Sequence, residues 1–258
     1  LLRLFLKDFR LGKISDLLDP RALAFRAEWC PICGPSLLVR LQKSALGVRC
    51  LRCRGSANHL SIAAVLTKLL ARTPTVSAYE LSSRGPIYAF WRRRAASFTS
   101  SEYFDDVAVG EWRNGVQCQD VQNLTYANES FDICSSTEVF EHVPDDQCGF
   151  SEISRVLRPG GHFVFTVPLH DAESTVERAR LVDGQVIHMQ PPVYHGDRLR
   201  GFRGVLCYRD YGRDIVSRLL GSGFTEVSVA EPPRGRWWGL GSKVLVARKG
   251  VQLPSTES

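Results

Sequence analysis

The chain has no run of roughly 18 uncharged apolar residues, so no transmembrane helix is expected. A secretion signal is missing as well. The apolar start from Leu1 to Leu6 is interrupted by Arg3 and followed by Lys7 and Arg10, without a sustained apolar core or a small-residue cleavage site. Reduced thiols and a cytoplasmic location follow as expectations. Leu1 stands where a methionine would, which points to a fragment or a processed product. The 8 cysteines in 258 residues are too sparse for a disulfide scaffold. With 44% hydrophobic and 23% charged residues, disorder and collagen-like repetition are excluded. There is no internal repeat and no recognisable RNA-binding motif. The net charge of +6 is mild and only weakly favours an anionic partner.

The length allows one large domain, or one domain with a small module. Residues 1–28 read as an amphipathic helical segment, broken at Asp19-Pro20. Residues 29–60 carry a cysteine module. Residues 61–74 hold a linking helix capped by Ser61, with Ile62, Val65, Leu66 and Leu69 on one face. Residues 75–249 form the main domain, with a long polar insertion at 169–210. A mobile tail is expected at 250–258.

Cys30-Pro31-Ile32-Cys33 and Cys50-Leu51-Arg52-Cys53 are two C-x-x-C pairs separated by the 16 residues 34–49. That spacing is one for zinc. Each pair folds a tight turn that aims two sulfurs at one cation, and four thiolates close a tetrahedral structural Zn²⁺ site. Gly34 permits the positive φ such a turn needs. His59 is a weaker alternative ligand. Cys118, Cys134, Cys148 and Cys207 are scattered and receive no chemical role.

In the main domain, strand-like stretches at Val76–Leu81, Ser97–Ser101, Gly115–Asp120, Phe131–Ser135 and His162–Val167 alternate with helical ones. The clearest helix is Asp145–Leu157, with Asp145 as its cap and Pro159-Gly160-Gly161 as its stop. A helix at Tyr211–Leu220 and two strands, Thr225–Ala230 and Lys243–Arg248, close the chain. The alternation argues for an α/β fold with a parallel sheet covered on both faces. The final hairpin makes that sheet mixed.

Acids end the first two strands at Glu80 and Glu102, and Asp120 follows the third. Phe131-Asp132, then Glu141-His142-Val143, then Leu157-Arg158-Pro159-Gly160-Gly161 complete an ordered set. This set resembles the class I S-adenosylmethionine-dependent methyltransferases, in particular the type 11 group. The resemblance covers about residues 75–170 and implies a Rossmann-like, seven-stranded, mostly parallel sheet ending in an antiparallel hairpin. It implies S-adenosylmethionine as cofactor. Glu102 would bond the ribose hydroxyls, and Glu80 would lie near the methionine portion. Asp120 would approach the adenine amino group, with Val121 nearby, and Glu138 is counted with the same cofactor set. Where the family has a glycine-rich first turn, this chain has Ser82, Arg84 and Pro86, with only Gly85 close by. A reshaped turn is therefore expected, with Ser82, Arg84 and Gly85 against the cofactor and Arg84 available to its carboxylate.

The implied reaction is in-line attack on a sulfonium methyl group, for which the protein supplies orientation. His142 is the first candidate for a base or positioning group, and His170 the second. The His, Tyr, Asp and Arg of the insertion suit a small polar or glycan-like acceptor, and Trp237-Trp238 is a further acceptor surface or an interface. Two other readings stand beside this one. Arg49, Arg52, Arg54 and Arg92–Arg94 could meet the phosphates of an RNA substrate, as in ribosomal-RNA methyltransferases. A non-catalytic zinc-binding interaction module is the third.

Overall fold

The computed structural model describes residues 19, 21–44, 47–197, 201–231, 237–239 and 243–251. Residues 1–18 of the expected helical segment and 252–258 of the expected tail lie outside the described residues. Phe25, read as part of a helical face, lies instead in strand β1 (Ala24–Cys30). β1 pairs antiparallel with β2 (Gly34–Arg40), and β2 with β3 (Val48–Cys50). The first cysteine knuckle is the hairpin turn that sets this register, placing Cys30 opposite Gly34.

Helix α1 (Ala57–Leu70) starts before the Ser61 cap read from the sequence, because Ser56 takes that place. The Ser56 amide donates to His59 Nδ1 at 3.3 Å, and the Ser56 hydroxyl sits 2.6 Å from the same nitrogen. This exchange closes the first turn in the manner of a capping box. Ser61 is buried inside the helix and donates to the Trp238 carbonyl at 3.3 Å.

The main sheet is built from β4 (Ser77–Glu80), β5 (Ser97–Glu102), β6 (Trp112–Arg113), β7 (Val116–Cys118), β8 (Phe131–Thr137) and β9 (Leu157–Thr166), closed by β16 and β17. Helix α2 (Gly85–Trp91) follows β4, and α3 (Asp146–Val156) precedes β9. The segment after β9 folds into short antiparallel ribbons. β10 (Val176–Glu177) pairs with β15 (Arg209–Asp210), β11 (Ala179–Val182) with β12 (Gln185–His188), and β13 (Tyr194–Asp197) with β14 (Gly201–Leu206). Then come α4 (Ile215–Leu220), β16 (Phe224–Ala230) and β17 (Val244–Lys249).

The sheet order is β16-β17-β9-β8-β4-β5-β7-β6. β7, β5, β4, β8 and β9 are parallel, while β17, β16 and β6 run antiparallel to their neighbours. This is the expected α/β class with its terminal hairpin, and among the described residues it carries 8 strands instead of seven. The extra strand is the two-residue edge β6. It folds back on β7 through Asn114-Gly115, with φ of 51° and 76°, which are the left-handed values of a tight hairpin turn.

The two sheet faces have separate cores. One joins α3 and α4 to Cys134, Phe163, Phe165 and Leu245. The other joins α1, α2 and Trp238 to Ile133, Val164 and Val244, and it runs without a break into Cys30, Leu38, Val48 and Cys50 of the small sheet. Trp238 is buried, while Arg26 and Arg40 of the small sheet lie 5.9 and 5.3 Å over the Trp237 ring. The tryptophan pair, read as an acceptor surface or interface, is thus packed within the fold.

Candidate functional site

Going outward from β4, the chain adds β5 and then β7 on one side, and β8 and then β9 on the other. The switch point of an open α/β sheet therefore lies between β4 and β8, and ligands bind beyond the carboxyl ends of strands there. Glu80 ends β4 opposite Ser135 of β8. Its carboxylate accepts from the Ser135 hydroxyl, which accepts in turn from Trp91 Nε1 at 2.7 Å. Burial pushes the Glu80 carboxyl up to about 8, and the nearby Glu102 carboxylate acts in the same direction.

Glu102 ends β5 and organises the first turn. Its Oε1 accepts from Ser82 Oγ at 3.1 Å, from Ser83 N and Oγ at 3.0 Å each, and from Arg84 Nε at 3.4 Å. Side chains thus tie down a turn that glycines would have left to backbone alone. Gly85 has φ +92°, so glycine is needed there for conformation. Pro86 falls in the first turn of α2, where its missing N–H costs nothing. Beside this turn opens a cleft of about 480 Å³, lined by Ser83, Arg84, Tyr103, Phe104, Asp105, Asp106, Arg113, Asn114 and Val116. Asp120 is turned onto its own loop, accepting from Gln122 N at 2.9 Å and Gln122 Nε2 at 3.1 Å, and Val121 is buried beside it.

The carboxyl ends of β8 and β9 hold a second group. Thr137 and Thr166 face each other across the two strands. Among the described residues, the side-chain oxygens of Ser136, Thr137 and Thr166, one carboxylate oxygen of Glu138 and both of Glu141 are buried without a hydrogen-bond partner. Buried polar groups are normally satisfied, so such a concentration at one sheet end marks a place where a polar ligand or solvent belongs. Glu138 has φ +54°, a conformation rare for its type and common at functional sites. Burial pushes its carboxyl up to about 7, with Glu141 acting in the same direction.

His142 closes a 3₁₀ turn, Phe140–His142, just beyond β8. Its Nδ1 lies 2.8 Å from the Leu206 carbonyl. The His195 ring stands edge-on, with centroids 5.0 Å apart, and Cys207 Sγ lies 3.9 Å from His142 Nδ1. Neighbouring Cys207 and Glu141 raise His195 to about 10. Burial opposes ionisation of Cys207, but the two imidazoles outweigh it and hold the thiol below its ordinary value. Cys207 had no role in the sequence reading, and only the folding of the β13–β14 ribbon onto the 3₁₀ turn brings it here. His170 is exposed after β9, its backbone N–H bonded to Tyr211 O at 2.9 Å.

The four cysteines of the knuckles do converge. Cys30 and Cys53 sulfurs are 3.6 Å apart, as are those of Cys33 and Cys50, and all four lie within 4.8 Å of one another. A tetrahedral ion with sulfurs at about 2.3 Å sets neighbouring sulfurs about 3.8 Å apart, so the donor set fits Zn²⁺. Hydrogen bonding to Cys50 and burial push the Cys30 thiol up to about 12, while bonds from Cys30 and Cys53 draw Cys50 down. His59 is engaged at the α1 cap and is not part of this cluster.

Residues 88–165 match the family model described as a methyltransferase domain. The match begins after Glu80 and the first turn, and it takes in Glu102, Asp120, Glu138 and His142. A ubiquinone biosynthesis O-methyltransferase of Coxiella burnetii is 40% identical over 50 residues, 19% of this chain and 21% of that protein. A 24-methylenesterol C-methyltransferase of Arabidopsis thaliana is 28% identical over 123 residues, 48% of this chain and 32% of that one. The chain thus spans about a fifth to a third of the length of these relatives. Among solved structures, a S-adenosylmethionine-dependent methyltransferase from Mesorhizobium loti aligns over 76% of this chain and 99% of its own, with 19% identity and a TM-score of 0.48.

Proposed function

We propose that this chain, whose centre resembles the class I methyltransferases, transfers a methyl group from S-adenosylmethionine to a small polar or glycan-like acceptor. One observation carries the reading. Two buried acids, Glu80 and Glu102, share the carboxyl ends of neighbouring parallel strands at the switch point with side-chain oxygens of Ser136, Thr137, Glu138 and Thr166 that, among the described residues, have no hydrogen-bond partner. The family match over residues 88–165 supports it.

S-adenosylmethionine, when bound, supplies an electrophilic sulfonium methyl, and the residues here bind and orient. Each hydrogen bond from the first turn to Glu102 ends on Oε1, so Oε2 would be the oxygen for the ribose hydroxyls. Glu80, whose carboxyl burial pushes up to about 8, would lie near the methionine portion. His142, just beyond β8 with Nδ1 against the Leu206 carbonyl, borders the acceptor side as a positioning group. Cys30, Cys33, Cys50 and Cys53 hold a structural Zn²⁺ away from the chemistry.

The RNA reading is less well served. Arg94 stacks 4.2 Å over Phe90 and donates to the Pro31 carbonyl at 3.3 Å, and Arg52 bonds the Cys33 carbonyl at 2.9 Å. Calorimetric titration with S-adenosylmethionine tests the main proposal. Saturable binding is expected, weakened at least about ten-fold in Glu102→Ala, in line with the loss of a charged hydrogen-bond pair. No heat at millimolar cofactor would overturn it.

A further inference from the structure

We propose a second metal site, formed by His142, His195 and Cys207 with the Glu141 carboxylate against the two imidazoles, that takes a borderline divalent ion such as Zn²⁺. One ring nitrogen of each histidine and the Cys207 sulfur lie within 4.8 Å of one another. The Glu141 carboxylate, 1% exposed, reaches into this group. Its Oε1 stands 3.6 Å from both His142 Nε2 and His195 Nδ1. Nitrogen and oxygen donors about 2.0–2.1 Å from a tetrahedral ion lie about 3.4 Å from each other, so these spacings need little contraction.

The independent observation is Glu141 itself. Among the described residues, neither of its carboxylate oxygens has a hydrogen-bond partner. Its contacts are the two imidazoles at 3.6 Å, beyond hydrogen-bond distance, and buried charges are ordinarily closely paired or coordinate metals. The ring orientation fits as well. Metal-bound histidines usually donate their other N–H to a carbonyl or carboxylate. The 2.8 Å contact from His142 Nδ1 to the Leu206 carbonyl is such a bond and leaves Nε2 as the donor. Two imidazoles, a thiolate and a carboxylate suit zinc and its neighbours better than magnesium or calcium. The ion would pin the β13–β14 ribbon to the 3₁₀ turn beyond β8, and its binding does not depend on methyl transfer.

The test is metal content of the full chain, equilibrated with Zn²⁺ alone and freed of loosely held ion by gel filtration. Parent, Cys207→Ser and His195→Asn proteins are compared, with circular dichroism confirming the fold. Each variant is expected to hold one Zn²⁺ per chain fewer than the parent, and Co²⁺ substitution is expected to lose one set of thiolate charge-transfer absorption in Cys207→Ser. The variants test different ligands, so a folding failure in one leaves the other decisive. Zinc content equal to the parent's in a folded variant would overturn the site.

Discussion

Glu80 is an acid almost wholly withdrawn from water. Its carboxyl is pushed up to about 8 by burial, against about 4.3 in an unfolded chain. Below about pH 4.3 both states hold the proton, and its stabilisation is whole. Between there and about pH 8 the unfolded chain has released the proton and the folded one has not, so stability falls as pH rises. Glu80→Gln keeps an acceptor for the Ser135 hydroxyl and removes the titration. Urea unfolding of both proteins from pH 5 to 8.5 is expected to show the variant gaining on the parent by up to several kcal/mol. Parallel pH profiles would count against a neutral Glu80.

A second residue-scale expectation concerns Ser56. Its exchange with His59 opens α1, and loss of a helix cap costs about 1 kcal/mol. Ser56→Ala is expected to lower unfolding stability by that amount and to leave the zinc content of the cysteine knuckles unchanged. A lost zinc would instead return His59 or its neighbours to the ligand set.

At the scale of elements, the insertion is held by buried charge. Arg218 forms a bidentate pair with Asp146 at 2.9 and 3.0 Å and reaches Glu177 at 2.9 Å. Arg209, 3% exposed, donates to the carbonyls of Phe140, Val143 and Pro144. Tyr211 adds a bond to Asp146 at 3.0 Å. α3, the 3₁₀ turn and the β10–β15 ribbon are locked by one network, and it fixes where His142 stands. Removing one member leaves its partners buried and unpaired, which costs about 3–5 kcal/mol. Asp146→Ala is therefore expected to lower chemical-denaturation stability by that much, well beyond an exposed control such as Glu226→Ala. A loss under about 1 kcal/mol would mean that the network contributes little.

These elements also show what could be read from sequence and why. Asp145 caps α3 as expected, accepting from Cys148 N at 3.1 Å, because capping is a local rule. The Phe131-Asp132 and Leu157–Gly161 segments carried the family resemblance, and in the structure they serve as support. Asp132 accepts from Ser77 N at 2.7 Å and pairs with Arg158 at 2.9 Å, which ties β4, β8 and β9 together at the end opposite the site. A side chain on Gly161 would meet the Asp132 and Arg158 carbonyls at 3.0 and 2.8 Å. Pro159-Gly160-Gly161 lies within β9 and does not itself stop α3, which ends at Val156. Likewise α4 begins at Ile215 rather than Tyr211, since Tyr211 is drawn into the buried network. The His142–His195–Cys207 group was invisible for a different reason. Its members meet only through ribbon pairings of a polar insertion with no periodicity to announce them.

On the scale of the whole molecule, the cysteine knuckles and the sheet stand or fall together. Cys30, Leu38, Val48 and Cys50 share one uninterrupted core with α1, α2 and the strands β4, β8, β9 and β17. Arg94, just past α2, reaches the Pro31 carbonyl inside the first knuckle, and Trp237 is sandwiched by arginines of the small sheet. A module joined by a flexible linker would melt alone when its metal is lost, leaving the main domain's transition in place. A shared core makes the two cooperative, and structural zinc contributes folding energy directly. Cys50→Ser should therefore lower the single unfolding midpoint of the entire chain on the order of 10 °C, since 1 kcal/mol moves a chain of this size by about 2–4 °C. Scanning calorimetry decides between the two arrangements. A small early transition followed by an unshifted main one would show that the knuckles fold on their own, and that their contact with the main sheet does not stabilise it.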